Sequence, residues 1–298
     1  MTSTSVLRFP AAAHVLLSGI LAAATVTVSS AKAQDFDRIT SSLTDTLQTA
    51  IDMLPEDVTN VRLGLGPVMA PDYEGSNDYN INPVPVVSLR YRNFLEVDNN
   101  EVKITAFNRL FNSNTNMGGG RSLRGGPLVS INFGRSQKAN PDLAGMGNVG
   151  TAFELGGFVS YTFSPDSRVR LRARQDIASG HNGATVMADY AHTFIRTPKY
   201  ALGGSVSGTW ATGPYMRSFF GITPVQAAAS GYPAFTPGSG FKDVTFGLNG
   251  HYRSAARWSV VANASYKCLI GDAADSPIVR IAGTPNQTSF SSFLVYSF

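Results

Sequence analysis

Cysteine is almost missing from this sequence: Cys268 is the only one. An exported chain with a single cysteine forms no internal disulfide, so other forces must hold it together. Charge is scarce as well. Asp, Glu, Lys and Arg make up 15% of the residues and no basic run occurs, which excludes the electrostatic footprint of a nucleic-acid binder. Histidine is limited to four residues, and His192 and His251 are too far apart in sequence to show a metal-ligand spacing. Beyond residue 33 no apolar run is long enough for a membrane-spanning helix. What is present is 29 glycines and 43% hydrophobic residues, with a mean hydropathy of −0.02. That balance is too apolar for disorder and too polar for a helical membrane bundle.

Residues 1–33 read as a secretory leader. Arg8 gives a positive start, VLLSGILAAATVTV (15–28) is the apolar stretch, and Ala31 and Ala33 flank Lys32 in an A-x-A cleavage signal. The apolar stretch is shorter than the roughly 20 residues of a membrane anchor. Arg8 and Lys32 leave with the leader, so the net charge of +4 falls to +2. The chain is expected to be exported by a bacterium, with its leader cleaved. Next, residues 34–58 form a separate segment on the periplasmic side. Within it Phe36, Ile39, Leu43, Leu47 and Ile51 recur with a helical period, and Pro55 ends the run. A short amphipathic helix is expected over 36–53, as a cap at the periplasmic mouth or as a partner-binding element.

From residue 59 the period becomes two. In FELGGFVSYTF (153–163), Phe153, Leu155, Val159, Tyr161 and Phe163 share one face, and Glu154, Ser160 and Thr162 share the other. In SRVRLRARQ (167–175), Arg168, Arg170, Arg172 and Arg174 alternate with Val169, Leu171 and Ala173. A helix would scatter those arginines; a strand aligns them. A soluble β-sandwich shows the same alternation. Three further features favour a barrel in lipid. The polar faces are rich in Gly, Ser, Thr and Asn. Aromatics gather at strand ends (Tyr91, Phe94, Phe163, Phe194, Tyr200, Tyr252, Trp258, Phe298). Short connections alternate with long ones. The expected fold is therefore all-β: a closed antiparallel transmembrane barrel over 59–298, preceded by the short helix. About 12 strands are expected. Ten is also open, because segment 109–124 is long where a short turn belongs. The final strand places Phe290, Leu294, Tyr296 and Phe298 outward and must close against the first, since unpaired backbone is costly in lipid. Its Leu294, Tyr296 and Phe298 also match the terminal signal read by the outer-membrane assembly machinery. The surroundings expected for such a barrel are outer-membrane lipid and lipopolysaccharide.

Several stretches resemble the MipA/OmpV family, the MltA-interacting outer-membrane proteins: GPVMAPDYEGSNDYNINPVPVVSLRYR (66–92), RQDIASGHNG (174–183), YMRSFFGITPVQAAASGYPAF (215–235), FKDVTFGL (241–248), LIGDAADSPIV (269–279) and GTPNQ (283–287). The resemblance implies a non-enzymatic outer-membrane barrel without a cofactor. It also implies a scaffold between a murein lytic transglycosylase and a bifunctional penicillin-binding protein; other members are tied to osmotic or antibiotic response, or to adhesion.

Candidate sites are few. The ladder Arg168, Arg170, Arg172 and Arg174 either biases a lumen toward anions or pairs with interior carboxylates such as Glu154 and Asp189, plugging a narrow barrel; pairing is the expectation. Asp72, Glu74 and Asp78, with Tyr73 and Tyr79, are dense enough in oxygen to hold a divalent cation. They lack EF-hand spacing and read instead as a solvated acidic loop; Asp272, Asp275 and Ser276 read the same way. Asp176, Ser179 and His181 have the residue types of a lipid hydrolase but no nucleophile-elbow pattern, so a turn shaped by Gly180 and Gly183 is expected. Thr223, Pro224 and Gly231 mark a short helix in the longest external loop. Two other functions stand beside the scaffold: a small-solute channel leaning toward anions, and, last, a lipid hydrolase.

Overall fold

Period-two sequence becomes strand almost wherever it occurs. The computed structural model describes residues 59–92, 94–111, 121–254 and 257–298. The leader and the helix expected over 36–53 lie outside the described residues. The strands are β1 (Thr59–Pro71), β2 (Tyr79–Tyr91), β3 (Leu95–Asp98), β4 (Glu101–Ile104), β5 (Phe107–Phe111), β6 (Arg121–Asn132), β7 (Ala152–Ser164), β8 (Ser167–Asp176), β9 (Ala184–Arg196), β10 (Tyr200–Ala211), β11 (Gly240–Arg253), β12 (Trp258–Leu269) and β13 (Asn286–Ser297).

Every neighbouring pair is antiparallel, and the ring closes. β13 returns to β1 with Leu65 opposite Leu294 and Met69 opposite Phe290. β4 and β5 both lie along β6, so they form one stave broken near Thr105, and the described residues build a barrel of 12 staves from 13 segments. The break is a register slip: Lys103 faces Leu128 whereas Phe107 faces Gly125. Gly126 makes it possible, because a Cβ there would lie 2.0 Å from the Ile104 carbonyl oxygen. Strand ends extend into segment 109–124 from both sides, to Phe111 and from Arg121. That favours the count of 12 over 10.

The two faces separate as the parity requires. Leu63, Leu65, Phe153, Leu155, Leu171, Phe246, Leu248 and Leu294 are exposed on the outside. Arg62, Arg170, Arg172, Glu154, Asp189 and Asn249 are buried inside. A polar interior and an apolar exterior are the reverse of a soluble core, and they suit hydrocarbon around the wall. The eight end-of-strand aromatics are all exposed at the short-turn end, and Trp258, Tyr296 and Phe298 meet edge-on at 4.8–4.9 Å.

The long connections collect at the opposite end and fold into a lid. It holds α1 (Gly213–Phe220) and α2 (Pro224–Ser230) between β10 and β11, with α3 (Gly271–Asp275) and α4 (Pro277–Arg280) between β12 and β13. α2 is the helix expected from its ends: the Thr223 side chain and Gln226 form a capping box, and Gly231 closes it in the left-handed region. α1 was not foreseen. Leu143, Met146, Met216, Phe220, Ile222, Ile278 and Val279 form the lid's core and are almost completely buried. Four different loops contribute to it, with Tyr73 from the β1–β2 connection beside the other three, so the mouth is closed by apolar packing rather than by one flexible segment.

Candidate functional site

Beneath the lid the lumen is crossed by charge. The four arginines of β8 face inward, as alternation demands. On β9, Asp189 stands directly opposite Arg170. Its Oδ1 accepts from Arg170 Nε at 3.0 Å and from Arg172 Nη2 at 3.4 Å. Across the barrel, Glu101 on β4 accepts from Arg174 and lies 4.0 Å from Arg172. Lys103 then sits 3.5 Å from Glu101, 3.4 Å from Asp98 and 3.6 Å from Glu96. Glu96 also binds Arg90 at 3.0 Å. The result is a continuous ion network from β2 to β9, spanning the lumen as a chord.

The sequence names Glu154 and Asp189 as carboxylates for the ladder. Asp189 serves it, but Glu154 takes hydrogen bonds from Ser130 Oγ at 2.7 Å and His181 Nε2 at 3.1 Å. Glu101, Glu96, Asp98 and Lys103 were missed. Their parity flips across the two-residue turn at Asn99–Asn100, with Glu96 and Asp98 even and Glu101 and Lys103 odd. That flip was the available signal for an inward-facing hairpin.

A second cluster hangs from the lid. Glu74, in the β1–β2 loop, bonds to Lys242 and, at 2.9 Å, to Lys267. Lys242 also reaches Asp243 Oδ2 at 2.6 Å, and Thr209 Oγ1 donates to Asp243 at 3.1 Å. Burial would raise the Glu74 pKa, but the two ammonium groups outweigh it and hold the carboxyl down at about 2. Burial pushes the Arg135 guanidinium down to about 10 while its Nη1 donates to the Phe219 carbonyl at 2.6 Å. Burial also raises the Tyr215 phenol well above its usual range.

The acidic loop is thus not solvated as expected. Asp72 is buried and Glu74 half-buried, while Asp78 stays exposed. Asn140 Nδ2 donates to Asp72 at 3.0 Å and to Asp78 at 2.9 Å, which ties the β6–β7 loop to the β1–β2 loop. Among the described residues no group of His, Cys, Asp and Glu is arranged to hold a metal. Asp272 caps the Gly238 amide at 2.7 Å, and Asp275 pairs with Arg280 at 3.1 Å.

Asp176, Ser179 and His181 do not form a relay. Asp176 accepts the amides of Ala178, His181 and Asn182 at 2.7–2.8 Å, which makes it the organiser of a turn. The Gly183 amide donates to His181 Nδ1 at 3.1 Å, so the proton sits on Nε2 and is directed at Glu154. Both ring nitrogens are engaged, and Ser179 sits exposed at φ 63°.

Between network and lid lies a cavity of about 140 Å³. Glu101, Glu154, Arg174, Lys242 and Tyr215 line it, together with Asn132. Its wall carries acids and bases in similar number.

A family model described as MltA-interacting protein MipA matches residues 63–298. No curated protein matches the chain. Among solved structures, an outer membrane channel from Pseudomonas putida F1 is 10% identical, with a TM-score of 0.43 over 82% of this chain and 97% of that one. The NanC porin is 13% identical, with a TM-score of 0.40 over 80% and 98%. The translocator domain of the autotransporter NalP from Neisseria meningitidis is 12% identical, with a TM-score of 0.40 over 96% and 99%.

Proposed function

From the premise that this chain belongs to the MltA-interacting protein MipA family, we propose that it is a non-enzymatic outer-membrane scaffold whose short-turn rim holds murein-active enzymes against the membrane. One observation carries the reading beyond the family description. The short-turn end presents Arg92, Arg109, Arg121, Arg196, Lys199, Arg253 and Arg257, whereas Asp166 is the one acid there among the described residues and it is bonded to Arg196 at 3.0 Å. The lid end, by contrast, carries most of the acids. A basic collar on the periplasmic side attracts an acidic protein face and speeds its encounter. The lid core and the ion network oppose the channel reading, because both would have to open before a solute could pass. The partners suited to this role are a murein lytic transglycosylase and a bifunctional penicillin-binding protein.

The test is affinity capture on the detergent-solubilised barrel, using these two enzymes in soluble form. Wild type should retain them at low salt. The variant Arg92→Glu/Lys199→Glu/Arg257→Glu should release them while keeping its heat-modifiable migration. Equal retention by both proteins refutes the collar's role. Steady conductance in a planar bilayer would instead favour the channel.

A further inference from the structure

The wall of the barrel is not of even height. β2 runs from Tyr79 to Tyr91, yet only Ser88–Tyr91 pairs with β3. The β3–β4 hairpin turns early, at Asn99–Asn100, and the next tall strand is β6. Residues 79–86 of β2, about 26 Å of strand, therefore have β1 on one side and no strand on the other among the described residues. The hairpin tip forms a sill, with Asn100 Nδ2 donating to Ile131 O at 2.7 Å and the Asn99 amide to Val87 O at 2.9 Å. Above the opening, Asn140 on Asp72 and Asp78 forms a lintel.

An open strand edge facing hydrocarbon is costly, because each unsatisfied amide wants a partner. This edge is chemically blunted. The Val87 amide points toward β3, to Asn99 Oδ1 at 2.9 Å. Odd positions of β2 therefore aim their backbone at the opening, and Pro83 and Pro85 occupy two of them. Proline has no N–H. Both also make the edge a poor template for pairing with a second chain. The outward side chains here, Ile81, Pro83, Pro85 and Val87, are apolar and exposed. The inner side is the polar cavity, whose lining includes Asn100, Ile131 and Asn132 at the sill and Pro71 and Asp72 near the lintel.

We propose that this opening is a lateral window, and that it admits an amphiphile with a small zwitterionic head. The head lies in the cavity among Glu101, Glu154, Arg135 and Arg174, and the hydrocarbon chain lies along the proline edge in the membrane. A cavity of about 140 Å³ has room for several water molecules, and so for a phosphate and an amine. With the mouth closed by the lid core, the window is the short path between the cavity and the outer leaflet.

The experiment uses the full protein in phosphatidylcholine vesicles with two zwitterionic lysophospholipid probes. One carries a diazirine beside the head, the other at the chain end. After irradiation, mass spectrometry locates the adducts. The head probe should mark Asn100, Asn132 or Arg135, and the chain probe should mark residues 81–87. Unlabelled lysophospholipid should suppress the head adducts. In Asn132→Trp, checked for folding by heat-modifiable migration, the head adducts should be lost. Adducts from both probes spread evenly over outward positions, such as Leu65, Phe246 and Leu248, would mean annular lipid only and overturn the window. Head adducts undiminished in Asn132→Trp would overturn it as well.

Discussion

Removing the central anion of the lumen network should destabilise the barrel far more than any surface charge could. In Glu101→Gln the shape is kept and the charge is lost. Glu101 is fully buried and faces three cations: Arg174 in direct contact, Lys103 at 3.5 Å and Arg172 at 4.0 Å. At an effective dielectric of about 20, one pair at 3.5 Å is worth roughly 5 kcal/mol gross. Most of that is offset by the desolvation that the mutation no longer has to overcome. Lys103 keeps Glu96 and Asp98, and Arg172 keeps Asp189, so the loss concentrates at Arg174. Breaking one partner of a buried pair typically costs about 3–5 kcal/mol; about 3 kcal/mol, on the order of a hundredfold in the folding equilibrium, is expected here. Urea unfolding in detergent micelles, followed by tryptophan fluorescence and heat-modifiable migration, measures it. The companion Arg174→Gln should cost a similar amount, and the double variant much less than their sum. A loss below about 1 kcal/mol for Glu101→Gln, the range of exposed pairs, would refute a dry network and imply a hydrated lumen.

Acid should loosen the lid before it opens the barrel. The Glu74 carboxyl is depressed from 4.5 to about 2, so its stabilisation is complete above pH 4.5 and is lost as pH falls toward 2. The shift corresponds to about 3 kcal/mol. Amide protection of Gly75 and Ser76 should fall through that window in wild type and lose this pH dependence in Glu74→Gln; an unchanged profile in the variant contradicts the assignment. Pro83→Val/Pro85→Val restores two donors to the β2 edge and should raise the fraction of dimers seen by native electrophoresis, whereas a monomer indistinguishable from wild type argues against an open edge. Gly126→Val drives a side chain into the Ile104 carbonyl and should reduce the assembled fraction more than Gly240→Val, where nothing lies within 4 Å of the new Cβ.

The wall was legible because membrane strands write their geometry locally. Alternation at 153–163 and 167–175 fixed which side chains face lipid, and the structure agrees residue by residue. Helix α2 was legible for the same reason: Thr223, Pro224 and Gly231 are neighbours of the turns they control. The site was less legible. Glu74 meets Lys242 and Lys267 from the far side of the sequence, and nothing near Glu74 announces either lysine. Asp72 and Asp78 seemed solvated because Asn140, which holds them, belongs to another loop. A turn was expected around Asp176 from Gly180 and Gly183, but not that the Asp176 carboxylate organises it by accepting three amides. The hairpin carboxylates were within reach, since the parity change across Asn99–Asn100 orients them. The early end of that hairpin is what makes the wall uneven, and it becomes meaningful only once β2 is seen to outlast its neighbour.

The seam between β1 and β13 has a consequence for biogenesis. Leu65 must find Leu294, and every other stave lies between them along the chain. Hairpins such as β7–β8 can zip early from adjacent residues, but each intermediate they build is a curling ribbon with two raw margins. No partial product is sealed. The lid, assembled from four loops, reaches its buried state only when those margins have met, so a packed lid is itself the sign that the circle has been completed.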